Sequence, residues 1–274
     1  MLHSLLALVS ILMLTIVSDN TEESIIIQGS HPGWAYDEYP PETMDYSPWT
    51  HIMQFGALVT SNGRIDGDSL SASDIKRGVE SAHRAGRPVI AVIGSEGNGA
   101  QFATASRTAT SRQRLADSIA GYVRANGHNG VSIDWEEDIN GAHYVDLLDR
   151  VDMALDRVDP ALTVSSDVVS GLVPPQTAAK AKHSVDWFSI MSYWSNGTDE
   201  ISAYMDAGIP ARKLAVGIGL SPDYRDQRVS DVVGKIKLAH DLGLRGLEVW
   251  AIQQPDLRNG FHDPRLSPLR DAAR

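Results

Sequence analysis

The stretch GVSIDWEED, residues 130–138, places four acids in a run that otherwise has the composition of a buried β-strand. Successive side chains of a strand point to opposite faces. Asp134 and Glu136 therefore share one face with Ser132. The other face is apolar and carries Val131, Ile133 and Trp135. One face of this strand is suited to packing under helices, and the other places two carboxyl groups in succession.

Seven further apolar runs of similar length accompany it, and they give eight in all: residues 24–30, 50–59, 88–95, 130–137, 162–169, 187–194, 213–220 and 246–253. Segments with helical periodicity lie between them, at 71–86, 111–127, 141–158, 199–210 and 229–243. The first and fifth crossovers are shorter. Alternation of strands and helices is typical of a parallel sheet. Eight such units in about 250 residues predict an α/β fold, a single-domain (β/α)₈ TIM barrel over residues 24–274.

A doubly wound open sheet is the alternative architecture. Such a sheet would usually carry a glycine-rich phosphate-binding turn after an early strand, and no G-x-G-x-x-G occurs in the 274 residues. The barrel is therefore preferred.

Composition excludes several classes of function. The net charge is −11 and no stripe of lysine or arginine is present, which argues against a nucleic-acid partner. The absence of cysteine excludes disulfides and thiolate metal sites. The histidines lack the spacing of metal ligands. We expect neither a metal nor an organic cofactor.

Residues 1–23 have the character of a targeting segment. An apolar run at residues 4–17 has the length of a signal-peptide core rather than of a bilayer span, and a polar break precedes the first strand. We predict a signal peptide and a secreted, extracellular protein. An uncleaved N-terminal anchor is the alternative, and only that case would attach the protein to a membrane.

The carboxyl pair of the fourth run, Asp134 and Glu136, also indicates a type of chemistry. Glu136 would lie nearest the carboxyl end of its strand, where barrel enzymes carry their chemistry. Burying Asp134 beside it raises the pKa of one member, which suits a general acid. The alternatives are a polar layer that satisfies strand ends, or a binding site for an arginine or lysine.

Several stretches together resemble the family-18 glycoside hydrolases, which comprise chitinases and endo-β-N-acetylglucosaminidases. NGVSIDWE (129–136) is similar to the family signature D-G-x-D-x-D-x-E. The resemblance extends to the first two strands, the M-x-Y strand six and the tryptophan-bearing strand eight, at residues 24–35, 47–65, 190–194 and 246–256. It covers residues 24 to the C-terminus.

The resemblance implies a retaining hydrolase that uses the substrate as its nucleophile, an exception to the two-carboxylate scheme. Glu136 would protonate the glycosidic oxygen, and Asp134 would orient the 2-acetamido group that attacks the anomeric carbon. Tyr193, on the inward face with Met191, would donate its hydroxyl to the acetamido carbonyl. Tryptophans would serve as sugar platforms, with Trp250 the strongest candidate and Trp34 and Trp194 in rim loops.

The sequence also departs from the family pattern. The first two acids of the signature are replaced by Asn129 and Ser132. Ser132 is expected to hydrogen-bond Asp134, which should then ionise more easily than in the family. Asp167 is either a sugar contact or a cap of the following turn.

Strand eight carries Glu248 where an apolar residue is usual. We expect it to pair with an interior arginine or lysine, or else to be a second protonatable group. Only about nine residues separate strand seven from the helix that starts near Val229, so the α+β insertion domain of many relatives is absent. The cleft should therefore be shallow.

The sequence predicts a secreted retaining glycoside hydrolase that cleaves β-1,4 bonds of chitin or chitooligosaccharides. Two alternatives remain open. One is an endo-β-N-acetylglucosaminidase that acts on N-glycans or peptidoglycan, and the other is a catalytically weak chitin-binding lectin. The expected partner is a carbohydrate, and the expected oligomeric state is a monomer.

Overall fold

The computed structural model describes residues 25–66, 70–221, 223–226, 228–253 and 263–274. The signal peptide or anchor predicted at residues 1–23 lies outside this part of the chain. Within it, no helix has both the length and the apolar character needed to cross a bilayer.

Eight parallel strands form a closed barrel, as the sequence predicts. The strands of the described residues, of which all but β3 belong to the barrel, are β1 (Ile26–Pro32), β2 (His51–Val59), β3 (Ile65–Asp66), β4 (Val89–Gly94), β5 (Gly130–Asp134), β6 (Thr163–Val168), β7 (Trp187–Ile190), β8 (Leu214–Gly219) and β9 (Gly246–Trp250). The barrel closes because β1 pairs in parallel with both β2 and β9. The short β3 lies outside this order and pairs antiparallel with β2. The GVSIDWEED stretch supplies β5, the fourth strand of the barrel.

Helices cover the outside of the barrel. They are α1 (Ala72–Arg84), α2 (Gly99–Ala105), α3 (Ala109–Asn126), α4 (Gly141–Asp156), α5 (Pro175–Ala178), α6 (Thr198–Asp206), α7 (Val229–Leu242) and α8 (Leu266–Ala272). The five predicted helical segments correspond to α1, α3, α4, α6 and α7. The first crossover contains only two turns of 3₁₀ helix, and the fifth contains the single turn of α5 followed by one of 3₁₀ helix.

The apolar face of β5 packs under the helices as expected. Val131, Ile133 and Trp135 are buried in the layer between the barrel and its helices. Trp135 stacks on Phe102 of α2 with ring centroids 5.0 Å apart. This packing fixes the strand so that its other face points into the barrel.

The lower part of the barrel interior is apolar, and the part towards the carboxyl ends of the strands is polar. A small cluster that includes Met53, Ile90 and Trp187 fills the lower part. Above it, Gln28 accepts hydrogen bonds from the Trp187 indole at 3.0 Å and from the Ser189 hydroxyl at 3.3 Å. This filled layer forms the floor of a cleft at the carboxyl end of the barrel.

The rim of the cleft is short. Residues 220–228 are all that join β8 to α7, so the link has no room for an insertion domain. The single-domain barrel predicted from the sequence is therefore the architecture found.

Candidate active site

A cavity of about 540 Å³ opens at the carboxyl ends of the strands. Eight of the nine side chains proposed from the sequence line it: Trp34, Asp134, Glu136, Asp167, Met191, Tyr193, Trp194 and Trp250. The ninth, Ser132, is fully buried in β5 beneath them. The volume lies within the range of small-ligand sites. The barrel thus brings the candidate residues to one place.

Asp134 is the last residue of β5, and it is buried. Its Oδ1 atom has no hydrogen-bond partner among the described residues. Burial raises the pKa of Asp134 well above its usual value, and the negative charges of Asp167, Glu136 and Glu248 raise it further. Other carboxyl groups in the cavity therefore oppose ionisation of Asp134 although position 132 carries a serine, and easier ionisation than in the family stays a prediction.

Ser132 contacts a different acid from the one expected. Its hydroxyl donates to Asp167 Oδ2 on the neighbouring strand β6 at 3.0 Å, not to Asp134. Asp167 is buried and faces the cavity, so it does not cap the following turn. Burial raises the pKa of Asp167 to about 7, although hydrogen bonds from Ser132 and Ser189 favour its ionised form.

Glu136 lies two residues beyond the end of β5 and is half-buried in the cleft. Burial raises its pKa, and the charge of Glu96 in the loop after β4 adds to the effect. A carboxyl group whose pKa is raised by burial holds its proton to higher pH than a solvated one, which suits a general acid. Glu96 was missed from the sequence, although its place directly after the third barrel strand put it at the rim.

The next acid in the sequence, Glu137, is hydrogen-bonded to backbone groups of the protein. The Glu137 Oε2 atom accepts hydrogen bonds from the backbone N–H groups of Gly97 at 2.9 Å and Gly99 at 3.4 Å. These bonds tie the loop after β4 to the end of β5. The loop that carries Glu96 is thereby held beside Glu136.

Tyr193 and Glu248 form a hydrogen-bonded pair within the cavity. The Tyr193 hydroxyl donates to Glu248 Oε2 at 2.7 Å, and the Ser30 hydroxyl donates to Glu248 Oε1 at 3.2 Å. The expected pairing of Glu248 with an interior arginine or lysine is therefore wrong. The buried Lys235 is instead bound to Asp226 Oδ2 at 2.8 Å. Burial raises the pKa of Glu248 to about 8, so it is a protonatable group.

Aromatic side chains surround the carboxyl groups. Trp250, at the end of β9, packs edge-on against Phe55 at 4.8 Å and lies 6.2 Å from Trp34. On the opposite side, Trp194 packs edge-on against Tyr224 at 5.3 Å. Trp34 and Trp194 are 56% and 66% exposed, which leaves their rings open to a ligand.

Tyr36 does not join these rings. It lies in the same loop as Trp34, but it is buried and its hydroxyl accepts a hydrogen bond from Gln54 Nε2 at 2.8 Å. Phe55 and Tyr224 were not proposed from the sequence. Tyr224 lies in the short link between β8 and α7, where no local pattern distinguishes it.

Within the described ranges, no group of three or more histidine, cysteine, aspartate or glutamate side chains is arranged to hold a metal ion. The polar groups of the cavity are carboxyls and hydroxyls. This arrangement can supply a protonated acid, a buried carboxyl beside it and a hydroxyl donor, with flat apolar rings around them.

The sequence also matches the model of a known protein family. The model of the glycosyl hydrolases family 18 matches residues 33–228. A chitinase-like effector of Moniliophthora roreri is 22% identical over 257 residues, which is 80% of this chain and 63% of the relative. Chitinase A1 of Niallia circulans is 25% identical over 167 residues, 43% of this chain and 24% of the relative. The chain therefore spans less than two thirds of these relatives.

Solved structures share the fold at low sequence identity. A chitinase from Rhizomucor miehei superposes with a TM-score of 0.75 at 18% identity, covering 90% of this chain and 99% of that one. A family-18 chitinase from Cycas revoluta in complex with (GlcNAc)₃ gives 0.75 at 17% identity, covering 90% and 98%. The Group IV chitinase of Ostrinia furnacalis gives 0.78 at 13% identity, covering 91% and 99%.

Proposed function

The chain belongs to the glycosyl hydrolases family 18, and from that premise we propose that it is a retaining glycoside hydrolase acting on β-1,4-linked N-acetylglucosamine in chitin or chitooligosaccharides. The observation that carries the proposal is the convergence of Glu136, Asp134 and Tyr193 in one aromatic-lined cleft. A protonated acid, a carboxyl group and a hydroxyl donor are the groups that substrate-assisted hydrolysis requires.

In the first step, Glu136 donates its proton to the bridging oxygen as the bond to the anomeric carbon breaks. The carbonyl oxygen of the substrate's own 2-acetamido group attacks that carbon and forms an oxazolinium ion. Asp134 stabilises the cation that develops on the acetamido group, and Tyr193 orients its carbonyl by donating a hydrogen bond. A tethered nucleophile of this kind removes the need for one from the enzyme.

In the second step, ionised Glu136 takes a proton from water, and the resulting hydroxide oxygen bonds to the anomeric carbon. The oxazolinium ring opens and restores the acetamido group. Two displacements at the same carbon retain its configuration. The buried, water-poor position of Asp134 strengthens its interaction with the cation.

Glu136→Gln tests the role of the acid. This change should lower release from a fluorogenic chitooligosaccharide by about 10²-fold or more, since an amide cannot protonate the leaving oxygen. Binding of unlabelled chitotetraose, followed by calorimetry, should remain close to wild type. Glu80→Gln on the exposed surface of α1 is the matched control. Unchanged turnover in Glu136→Gln would contradict the assignment.

The substrate class is tested by a turnover screen with chitin, chitooligosaccharides, N-glycans and peptidoglycan, with Glu136→Gln as the blank. Turnover confined to N-glycans or peptidoglycan would favour an endo-β-N-acetylglucosaminidase. The short link between β8 and α7 favours short substrates or internal cleavage, because no insertion domain at this position adds a wall around a long chain.

A carbohydrate-binding protein without turnover is the second candidate. It is favoured by the replacement of a signature acid by Ser132, and two relatives, from Moniliophthora roreri and Moniliophthora perniciosa, are described as chitinase-like effectors. Binding of chitotetraose without turnover on any of the four substrate classes would support this candidate.

We also propose that the protein is secreted, as a monomer, after removal of a signal peptide within residues 1–23. The support is the apolar run at residues 4–17. N-terminal sequencing of the protein recovered from the medium tests cleavage, and light scattering tests the oligomeric state. Retention in the membrane fraction would favour the anchor.

A further inference from the structure

Glu248 is an acid in an unusual position within the cleft. It lies on β9, between Gln28 of β1 and Gly217 of β8 in the sheet register. It is 3% exposed, and its two hydrogen bonds come from hydroxyl groups, those of Ser30 and Tyr193, rather than from a cation. Among the described residues, hydroxyls alone hydrogen-bond this carboxyl group, so no cation bound to it holds it in the ionised form.

The protonation state of Glu248 determines what Tyr193 can do. A tyrosine hydroxyl has a single hydrogen to donate. When Glu248 is ionised, that hydrogen is committed to Glu248 Oε2, and Tyr193 offers the cleft only lone pairs. When Glu248 is neutral, its acid proton can be donated to the Tyr193 oxygen, and the tyrosine hydrogen is released to point into the cleft.

We propose that Glu248 is a positioning residue that sets the direction in which the Tyr193 hydroxyl donates, so that Tyr193 binds an acetamido oxygen only while Glu248 is neutral. This inference rests on the proposed function, because an N-acetylated sugar is the ligand that would take up the released hydrogen. It assigns a role to Glu248, which is not one of the three groups that the proposed mechanism uses.

The surroundings of Glu248 favour its neutral form in the pH range over which the Tyr193 hydroxyl would change its hydrogen-bond acceptor. Burial raises the pKa of Glu248 to about 8, and the charge of Asp167 adds to this. Tyr193 keeps its hydrogen throughout, because burial and Glu248 raise its own pKa well above the usual value. The other titratable groups that interact with Glu248, Tyr193 or both are Asp134 and Asp167, the phenol of Tyr224, and Lys235, whose charge opposes the shift.

Binding of chitotetraose to the full-length Glu136→Gln protein tests the inference, since this background prevents turnover and removes the titration of Glu136. We expect the Kd to rise about 3- to 10-fold between pH 6.5 and 9.5, the effect of one lost hydrogen bond. Adding Glu248→Gln should bring the ratio of the two Kd values close to one, because the amide introduced at position 248 can donate to Tyr193 at every pH. Adding Tyr193→Phe should also abolish the pH dependence.

Ser30→Ala is the second variant, because it leaves Tyr193 and Glu248 in place. Loss of the Ser30 hydrogen bond disfavours ionised Glu248, so the midpoint of the rise in Kd should move to higher pH. A rise in Kd as large after Glu248→Gln is added as in Glu136→Gln alone, or a ratio near one in Glu136→Gln with binding intact, would overturn the inference.

A measurement without ligand separates this inference from the proposed function. In protein labelled with ¹³C at tyrosine Cζ, the resonance that disappears in Tyr193→Phe should titrate between pH 6.5 and 9.5 and should cease to do so in Glu248→Gln. A resonance that does not titrate overturns the inference. Failure of chitotetraose to bind or be cleaved at any pH would overturn the proposed function and the sugar-binding role of Tyr193. The titration of the ¹³C resonance would still test whether the protonation of Glu248 is coupled to Tyr193.

Discussion

At the scale of single residues, the replacement of a signature acid by Ser132 does not leave the cavity short of carboxyl groups. The Ser132 hydroxyl instead supports Asp167 on the next strand, 3.0 Å away. Asp167 contributes the largest charge effect on Asp134, second only to burial. A carboxyl group on β6 therefore acts on Asp134 where the family signature has one on β5.

Asp167→Asn should move the acid limb of the pH–activity profile to lower pH. Under the proposed mechanism this limb follows ionisation of Asp134, which would have to be negative to stabilise the oxazolinium ion. Removing the charge of Asp167 lowers the pKa of Asp134, since like charges in one cavity oppose ionisation. The measurement is kcat/KM against pH, with the exposed Asp156→Asn as the control for loss of one surface charge.

Ser132→Asp should have the opposite effect in the same assay. A third carboxyl placed against Asp167 opposes ionisation of both acids and moves the acid limb to higher pH. If neither variant moves the limb, Asp134 does not control it, and the coupling inferred from the cavity is wrong.

At the scale of elements, the sequence predicted the units that carry their own local signals. Helix α1 begins with a capping box at Ser71, and α3 ends at Gly127 in the left-handed conformation. The helices α2, α5 and α8 were not predicted, because they have seven residues or fewer and depend on tertiary packing for stability. The end of β5 was also misplaced: the run 130–137 is a strand only to Asp134.

Gly94 allows β4 to lie close to the carboxyl end of β5. Its φ is +112°, and an added Cβ would lie 2.1 Å from the carbonyl oxygen of Asp134 and 2.8 Å from Phe102. Gly94→Ala should therefore cost about 2–4 kcal/mol of unfolding free energy, from left-handed strain plus displacement of neighbouring atoms. It should also lower kcat, because Asp134 is displaced.

Gly86→Ala is the matched control for Gly94→Ala. Gly86 has a φ of +71° with no atom within 4 Å of an added Cβ, so this variant incurs only the conformational strain, about 1 kcal/mol. Urea denaturation compares the two variants. Equal losses of stability would contradict the close approach of Gly94 to Asp134.

At the scale of the whole molecule, the sequence brought the candidate residues to one end of the barrel but did not identify their hydrogen-bond partners. The acids, the tyrosine and the tryptophans could be placed at one end of the barrel because strand alternation and order determine which side chains face inward. The hydrogen bonds of Ser132 to Asp167 and of Tyr193 to Glu248 join residues 35 and 55 positions apart. Such pairs depend on strand register and side-chain rotamers, which no local pattern specifies.

Two sets of buried groups make the stability of the whole fold depend on pH. Burial lowers the pKa of His31, His51 and His128 to about 4. Their contribution is complete above pH 6.5 and is lost as the pH falls towards 4. Burial raises the pKa of Asp167 to about 7 and of Glu248 to about 8. Their contribution is complete below pH 4 and is lost as the pH rises through 7 and 8.

Between pH 4 and 6.5 the histidines and the carboxyl groups change the stability in opposite directions. Above pH 6.5, of these two sets only the carboxyl groups still change the stability. The melting temperature should therefore fall between pH 6.5 and 9. Glu248 alone accounts for on the order of 2 kcal/mol of this loss, at 1.36 kcal/mol per pH unit. Glu248→Gln should therefore reduce the fall by several degrees in a thermal scan, with Glu80→Gln unchanged from wild type. A fall as steep in Glu248→Gln as in wild type would mean that Glu248 is already ionised at pH 6.5, and the neutral carboxyl on which the orientation of Tyr193 depends would then be absent.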